Sequence, residues 1–208
     1  MLRNLFFLTA ICLALVSCGT NSVPAAEAET PAGAQPQTAI PAETTSGKGF
    51  VIKVVDATIK SPRKELVGKA GDVSLVINYG SPAVNDRVIY GDLVPYNKVW
   101  RTGANEATRI TFPQDVIVGE ASKKLAAGTY SLFTMPSSKE DWTVIFNKVA
   151  DQWGAYDYED TADAVRIKGT SKVAPTRAER MNFALDGNTV QLMWDDLVVA
   201  FPVASATK

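Results

Sequence analysis

Apolar residues recur at every second position through much of the chain after residue 49. Val73, Leu75, Ile77 and Tyr79 alternate with Ser74, Val76 and Asn78. Met181, Phe183 and Leu185 alternate with Arg180, Asn182 and Ala184, and Leu197, Val199, Phe201 and Val203 repeat the pattern. Successive side chains of a strand point to opposite faces, so this period predicts half-buried strands. Phe50 to Ile59, Ala107 to Phe112, Thr129 to Thr134, Trp142 to Asn147 and Val165 to Val173 are further candidates. Asp186-Gly187-Asn188 joins two of the alternating runs, and a glycine there can take the positive φ of a tight hairpin. No long window repeats every 3.6 residues, and Asp151 to Tyr158 is the one stretch read as a helical turn. Short strands separated by turn signals predict an all-β fold with little helix, an antiparallel β-sandwich, with a closed or partly open β-barrel as the alternative.

The pattern changes before residue 49. Arg3 precedes an apolar run from Leu5 to Val16, too short to span a bilayer as a helix and of the length of a secretion-signal core. The run ends in Leu15-Val16-Ser17-Cys18-Gly19, which resembles the lipobox of bacterial lipoproteins. The resemblance implies that residues 1–17 are removed and that Cys18 carries diacylglyceryl on sulfur and an amide-linked acyl chain of the palmitate kind. One acyl chain holds a protein only marginally, and two or more hold it stably. Gly19, where an Asp signals retention in some bacteria, points onward to the outer membrane of the cell envelope. Residues 18–48 are rich in Ala, Pro, Thr and Glu and contain no aromatic residue, so they predict a disordered tether. As a coil it would hold the domain roughly 30 Å from the membrane. All four Trp and all six Tyr fall in residues 49–208, which predict one β-domain.

Composition removes several chemistries. Histidine is absent, and Cys12 and Cys18 are the only cysteines. Disulfide frameworks, thiolate or imidazole metal sites, Ser-His-Asp triads and Cys-His dyads are therefore not expected. The 21 basic and 22 acidic side chains nearly cancel, and such a balance gives no electrostatic reason to expect nucleic acid. No cofactor and no metal are expected. Asp195-Asp196 and Asp157-Glu159-Asp160 lack calcium-loop spacing, and Ser81, Ser131 and Thr102 lack the setting of a serine nucleophile.

Tyr79-Gly80-Ser81-Pro82, Arg87, Gly91-Asp92-Leu93-Val94-Pro95-Tyr96 and Val99-Trp100-Arg101-Thr102-Gly103-Ala104-Asn105-Glu106-Ala107-Thr108 follow one another along the chain. With Ala127-Gly128-Thr129-Tyr130-Ser131-Leu132 and Trp153-Gly154-Ala155-Tyr156-Asp157-Tyr158, they resemble the bacterial family called domain of unknown function 2911. The resemblance covers most of Phe50 to Val203 and implies no particular chemistry.

The block from Trp100 to Thr108 is the densest polar stretch. Arg101 could clamp a carboxylate, a phosphate or sugar hydroxyls, Asn105 could donate and accept, and Glu106 could accept hydroxyl protons. Thr102 adds a hydroxyl, and Gly103 would let backbone approach a ligand. Tyr79 and Arg87 are possible additions. The plain alternative is that Arg101 and Glu106 pair with each other or with Asp92, Asn105 caps a turn and Trp100 plugs the core. Trp153, Tyr156 and Tyr158 form a second cluster suited to sugar rings, or alternatively a core plug. A glycosidase would need two carboxylates about 5 to 9.5 Å apart, for which Glu106 with Asp92, or Asp157 with Asp163, are the candidates. The expectation is an envelope-tethered module binding a small polar or saccharide ligand or a protein partner. A carboxylate-dependent hydrolase using Glu106 and a purely structural envelope protein are the alternatives.

Overall fold

The computed structural model describes residues 44–206; the signal segment, Cys18 and the tether to residue 43 lie outside the described residues. Eleven strands follow in chain order: β1 (Thr44–Gly47), β2 (Phe50–Asp56), β3 (Arg63–Ala70), β4 (Val73–Gly80), β5 (Thr108–Phe112), β6 (Val116–Val118), β7 (Lys123–Leu125), β8 (Gly128–Pro136), β9 (Asp141–Asn147), β10 (Asp163–Asp186) and β11 (Thr189–Ser205). They form one sheet in the order β1-β2-β3-β4-β5-β8-β9-β10-β11-β6-β7, and neighbouring strands pair antiparallel. The all-β antiparallel fold is thus as the alternation predicts, in the form of a single curled sheet. β1 lies within the stretch read as tether: Thr44–Gly47 pair with Phe50–Lys53, although all four residues are exposed.

Two long strands make the curl. β10 pairs with β9 over its first third, Asp163 to Thr170, and with β11 along most of its remaining length, and its register slips between Val173 and Ala178 and again between Ala178 and Asn182. Pro175 lies in the first gap, where a residue without an N–H is tolerated, and bulges of this kind bend a strand and sharpen its twist. The bend turns the far half of β10 back toward the segment after β4. There Met181 N–H donates to Pro82 O at 2.9 Å and Val84 N–H donates to Glu179 O at 2.8 Å, so the curled sheet meets itself. The hairpin from β10 to β11 turns at Gly187-Asn188 between paired Asp186 and Thr189. Gly187 has φ +57°, the conformation that the first position of a II′ turn reserves for glycine.

Inward positions of the alternating runs build the core. Val73, Leu75, Ile77 and Tyr79 of β4 face Met181, Phe183 and Leu185 of β10, and all are buried. Tyr79 meets Phe183 edge-on at 5.0 Å, and Phe146 of β9 meets Phe201 of β11 at 5.7 Å, geometries that aromatic quadrupoles favour. β8 is covered on both faces, with Tyr130 to Thr134 all buried. A small second core, Ala107, Phe133 and Ile145 with Val99, Met135, Ala155 and Tyr158 against it, lies apart from the main one. The residues leading into β5 and out of β9 supply that cover, and the candidate site belongs to the same segments.

Among the described residues there is no α-helix, and none is long and apolar enough to cross a membrane. Asp151 to Tyr158, read as a helical turn, is instead a run of bends and turns. The one helical element among the described residues is a single 3-10 turn just beyond it, Asp160–Ala162.

Candidate functional site

The Trp100 to Thr108 block begins as an extra rung on β8. Trp100 exchanges backbone hydrogen bonds with Thr134, at 2.8 and 3.0 Å. The chain then loops out and returns, and Thr108 N–H donates to Arg101 O at 3.1 Å as β5 begins. Two residues in the loop have left-handed backbone, Thr102 at φ +53° and Asn105 at φ +64°. That conformation is uncommon for non-glycine residues and an outlier for a β-branched one, at a cost of about 1–3 kcal/mol.

Half of the block is internal. The buried Thr102 hydroxyl lies 3.1 Å from the Thr134 hydroxyl, and Thr108 Oγ1 donates to Thr102 O at 2.7 Å. Thr102, expected to touch a ligand, is therefore committed to the fold by hydrogen bonds that hold its strained backbone. Gly103 sits at a close backbone crossing: a Cβ there would lie 3.0 Å from Gly80 O and from Thr108 Oγ1. A Cβ on Gly80 would run into the carbonyl of Ala104, so two backbones meet at this point. Glu106 pairs with neither Arg101 nor Asp92. Its carboxylate takes Arg63 Nη1 at 3.1 Å, while Arg63 Nε donates to Asn78. Burial lowers the pKa of Arg63, and Glu106 opposes that shift.

The other half opens on a cleft. Arg101, Gly103, Ala104 and Asn105 line it together with Trp100 and Trp194, whose rings stack at 5.6 Å and 17°. Pro82, Ala83, Asn85 and Arg87 come from the segment after β4, Lys60 and Ser61 from the turn before β3, and Leu93 from the following loop. The cleft holds about 310 Å³, the low end of the range for small-molecule sites. Arg101 Nε is buried with no hydrogen-bond partner, and Arg101 forms no ion pair among the described residues. Trp194, at 1% exposure, also keeps its indole Nε1 without an acceptor. Buried polar groups are nearly always satisfied, so two unpaired donors on residues that line one cleft stand out. Asn105 makes only a long contact, Nδ2 to Ser61 O at 3.5 Å. Arg87 hands Nε and Nη2 to the carbonyls of Val84 and Ala83, which fixes its guanidinium at the cleft wall. Arg101, Asn105 and Arg87 are thus brought together, whereas Tyr79 is not. Tyr79 is fully buried between β4 and β10, and desolvation raises its pKa well above the ordinary tyrosine value.

The second cluster divides too. Trp153 bridges to Glu106 through the backbone, and Ala107 N–H donates to Gln152 O at 3.1 Å, so the two clusters share one surface. Trp153 and Tyr156 are 58% and 81% exposed. A Cβ on Gly154 would lie 3.0 Å from the Tyr156 ring and 3.9 Å from Arg101 Cδ, which places Arg101 beside this loop. Tyr158 instead plugs the small core against Phe133 at 4.9 Å. Its hydroxyl donates to Asp163 Oδ2 at 2.7 Å and receives Arg166 Nη2 at 2.8 Å. Burial, then the bond to Asp163, push its pKa up to about 12. Asp163 also accepts Arg166 Nε at 2.7 Å and Asn147 Nδ2 at 2.9 Å.

The remaining candidates are held within the protein. Asp195 pairs with Arg177 and Asp196 with Lys139. Ser81 Oγ donates to Met181 O, and Ser131 Oγ lies within reach of the carbonyls of Val149 and Ala150. Among the described residues no three His, Cys, Asp or Glu side chains gather as a metal site. The cleft residues missed from sequence include Lys60, Ser61, Asn85, Leu93 and Trp194. Only Trp194, an aromatic ring next to a possible turn at Asp195-Asp196, carried a local signal. Asp195 has φ +51° opposite the slip in β10, an irregularity of the kind that re-aims side chains near sites.

No curated protein and no solved structure matches the chain. The family model described as protein of unknown function DUF2911 matches residues 61–203, which take in the whole Trp100 to Thr108 loop, the aromatic loop and most of the sheet. By that match the chain belongs to the DUF2911 family.

Proposed function

We propose that this chain is an envelope lipoprotein whose β-domain is a non-catalytic module that binds a small polar ligand in the cleft at Arg101. The observation that carries the reading is the pair of unpaired buried donors there, Arg101 Nε and Trp194 Nε1. An unsatisfied buried donor costs about 1–3 kcal/mol, and a ligand acceptor would remove that cost. Trp100, Leu93 and Pro82 add apolar wall, and Asn85, Asn105 and Ser61 add groups that can both donate and accept. The hydrolase alternative draws less support, because Glu106 is held by Arg63 and no carboxylate lines the cleft. Anchoring rests on the lipobox-like Leu15 to Gly19 and on a proline-rich, aromatic-free stretch after it.

Thermal melting of the full-length protein against a panel of saccharides and metabolites tests the binding. A ligand at 100 times its Kd should stabilise by about 2.7 kcal/mol, a shift of a few degrees. Arg101→Ala should abolish the shift, and a variant that keeps it at full size would show the site to be elsewhere. Labelled fatty acid should enter the wild type and not Cys18→Ala; equal labelling of both would remove the lipoprotein reading.

A further inference from the structure

The chemistry lining the cleft carries the reading one step further and rests on it. Three cationic side chains, Lys60, Arg87 and Arg101, line the cleft, and none of the lining residues is a carboxylate. The excess is local, since the whole chain sums to −1. Among the acids nearby, Glu106 pairs with Arg63, Asp195 with Arg177 and Asp196 with Lys139, Glu179 accepts the Asn85 N–H at 3.0 Å, and Asp86 and Asp92, beside lining residues in sequence, do not themselves line the cleft. Lys60, Arg87 and Arg101 form no ion pair among the described residues. Same-sign charge in a low-dielectric concavity focuses its field on whatever enters. The two orphaned groups, Arg101 Nε and Trp194 Nε1, are donors only, so the missing partner is an acceptor. An acid group meets both demands, because it is negative and carries several lone pairs, and a guanidinium fork fits it in the plane. A neutral hydroxyl would leave the field of three cations unanswered.

We propose that the cleft takes a small organic anion, with its carboxylate or phosphate group on Arg101 and its carbon body against Trp100 and Leu93. Lys60 and Arg87 supply attraction at longer range, which salt screens.

Calorimetric titration of the full-length protein with charged probes and neutral counterparts tests this. The probes are glucose 6-phosphate and glucuronate against glucose, and benzoate against benzyl alcohol. At least one charged probe should bind about tenfold or more tightly than its counterpart, about 1.4 kcal/mol. Its affinity should fall as salt rises from about 20 mM to about 300 mM. Arg101→Gln should erase the preference. Lys60→Gln, at an exposed position, should weaken the charged probe about threefold. The first two probes separate a phosphate requirement from a carboxylate one. If glucose or benzyl alcohol binds as tightly as its charged counterpart and Arg101→Gln abolishes both, the anion inference falls while the binding site stands. If charged probes bind undiminished in Arg101→Gln, or no probe binds at all, both fall.

Discussion

Two polar clusters with aromatic neighbours stand near each other on this domain, and they differ in what their hydrogen bonds leave over. Around Tyr158 every group is answered: Asp163 accepts from Tyr158, Arg166 and Asn147, and Arg166 also reaches the Tyr158 hydroxyl. Around Arg101 two donors are left over, and the charged side chains lining the cleft are all cations. Composition does not separate these clusters, since each mixes Arg, Asn and aromatic rings. A closed network fixes a loop in place, whereas an open one leaves binding capacity on the surface. The distinction runs through the Trp100 to Thr108 block itself. Thr102 and Thr108 lock the loop inward, and Arg101 and Asn105 are thereby presented outward on a backbone that has little freedom to relax.

The largest test of the contrast removes the centre of the closed network. Asp163→Ala strips three donors of their acceptor, at a side chain that is 8% exposed. Loss of one partner from a buried charged network costs about 3–5 kcal/mol, and the partial exposure of Arg166 puts the expected loss near the lower end, at about 3 kcal/mol. Urea unfolding of wild type and variant measures it. A change below about 1 kcal/mol would mean that the network is ornamental and that the contrast with Arg101 has no energetic content.

A second test uses alkali. Tyr158 keeps its proton to about pH 12 in the folded protein, against the ordinary tyrosine value of 10.0 in the unfolded chain. Its contribution is therefore fully present below pH 10 and is lost as the pH climbs toward 12, because the unfolded chain gives up the proton first. Tyr79 and Tyr90 are raised in the same direction by burial, so the wild type should lose stability over this range for several reasons at once. Tyr158→Phe retains those two and removes one, and its stability should fall less steeply over the same interval. Parallel curves for the two proteins would show that folding does not raise the pKa of Tyr158.

Much of the sheet was legible in the sequence, because a strand with one dry face must alternate. β4, β10 and β11 announce themselves through Val73 to Tyr79, Met181 to Leu185 and Leu197 to Val203. β3 does not, since Arg63, Lys64, Glu65 and Lys69 crowd a strand in which Leu66 and Ala70 alone are buried apolar residues. β6 and β7, at three residues each, are too short to show a period. The site was half legible. Arg101 and Asn105 stand out as polar residues packed into a short block, but Thr102 and Glu106 stand out equally and turn elsewhere. Which way a loop side chain points is decided by contacts distant in sequence, such as Arg63 to Glu106 and Thr134 to Thr102. Lys60, Asn85 and Trp194 reach the cleft from three separate parts of the chain, and only the closure of β10 on the segment after β4 collects them.

The smallest expected effect is the most telling. Arg101→Ala breaks no ion pair among the described residues and removes a donor that the fold leaves unpaired. What it takes from the folded state is the packing of the aliphatic stem near Gly154, and what it relieves is the desolvation of Nε. The two oppose each other, so stability in urea should change by less than about 1 kcal/mol in either direction. An arginine half-buried at the centre of a polar block and yet dispensable for folding would leave its guanidinium free for binding. A loss as large as that of Asp163→Ala would make Arg101 one more member of a closed network, and the cleft would then be a by-product of how the loop is held.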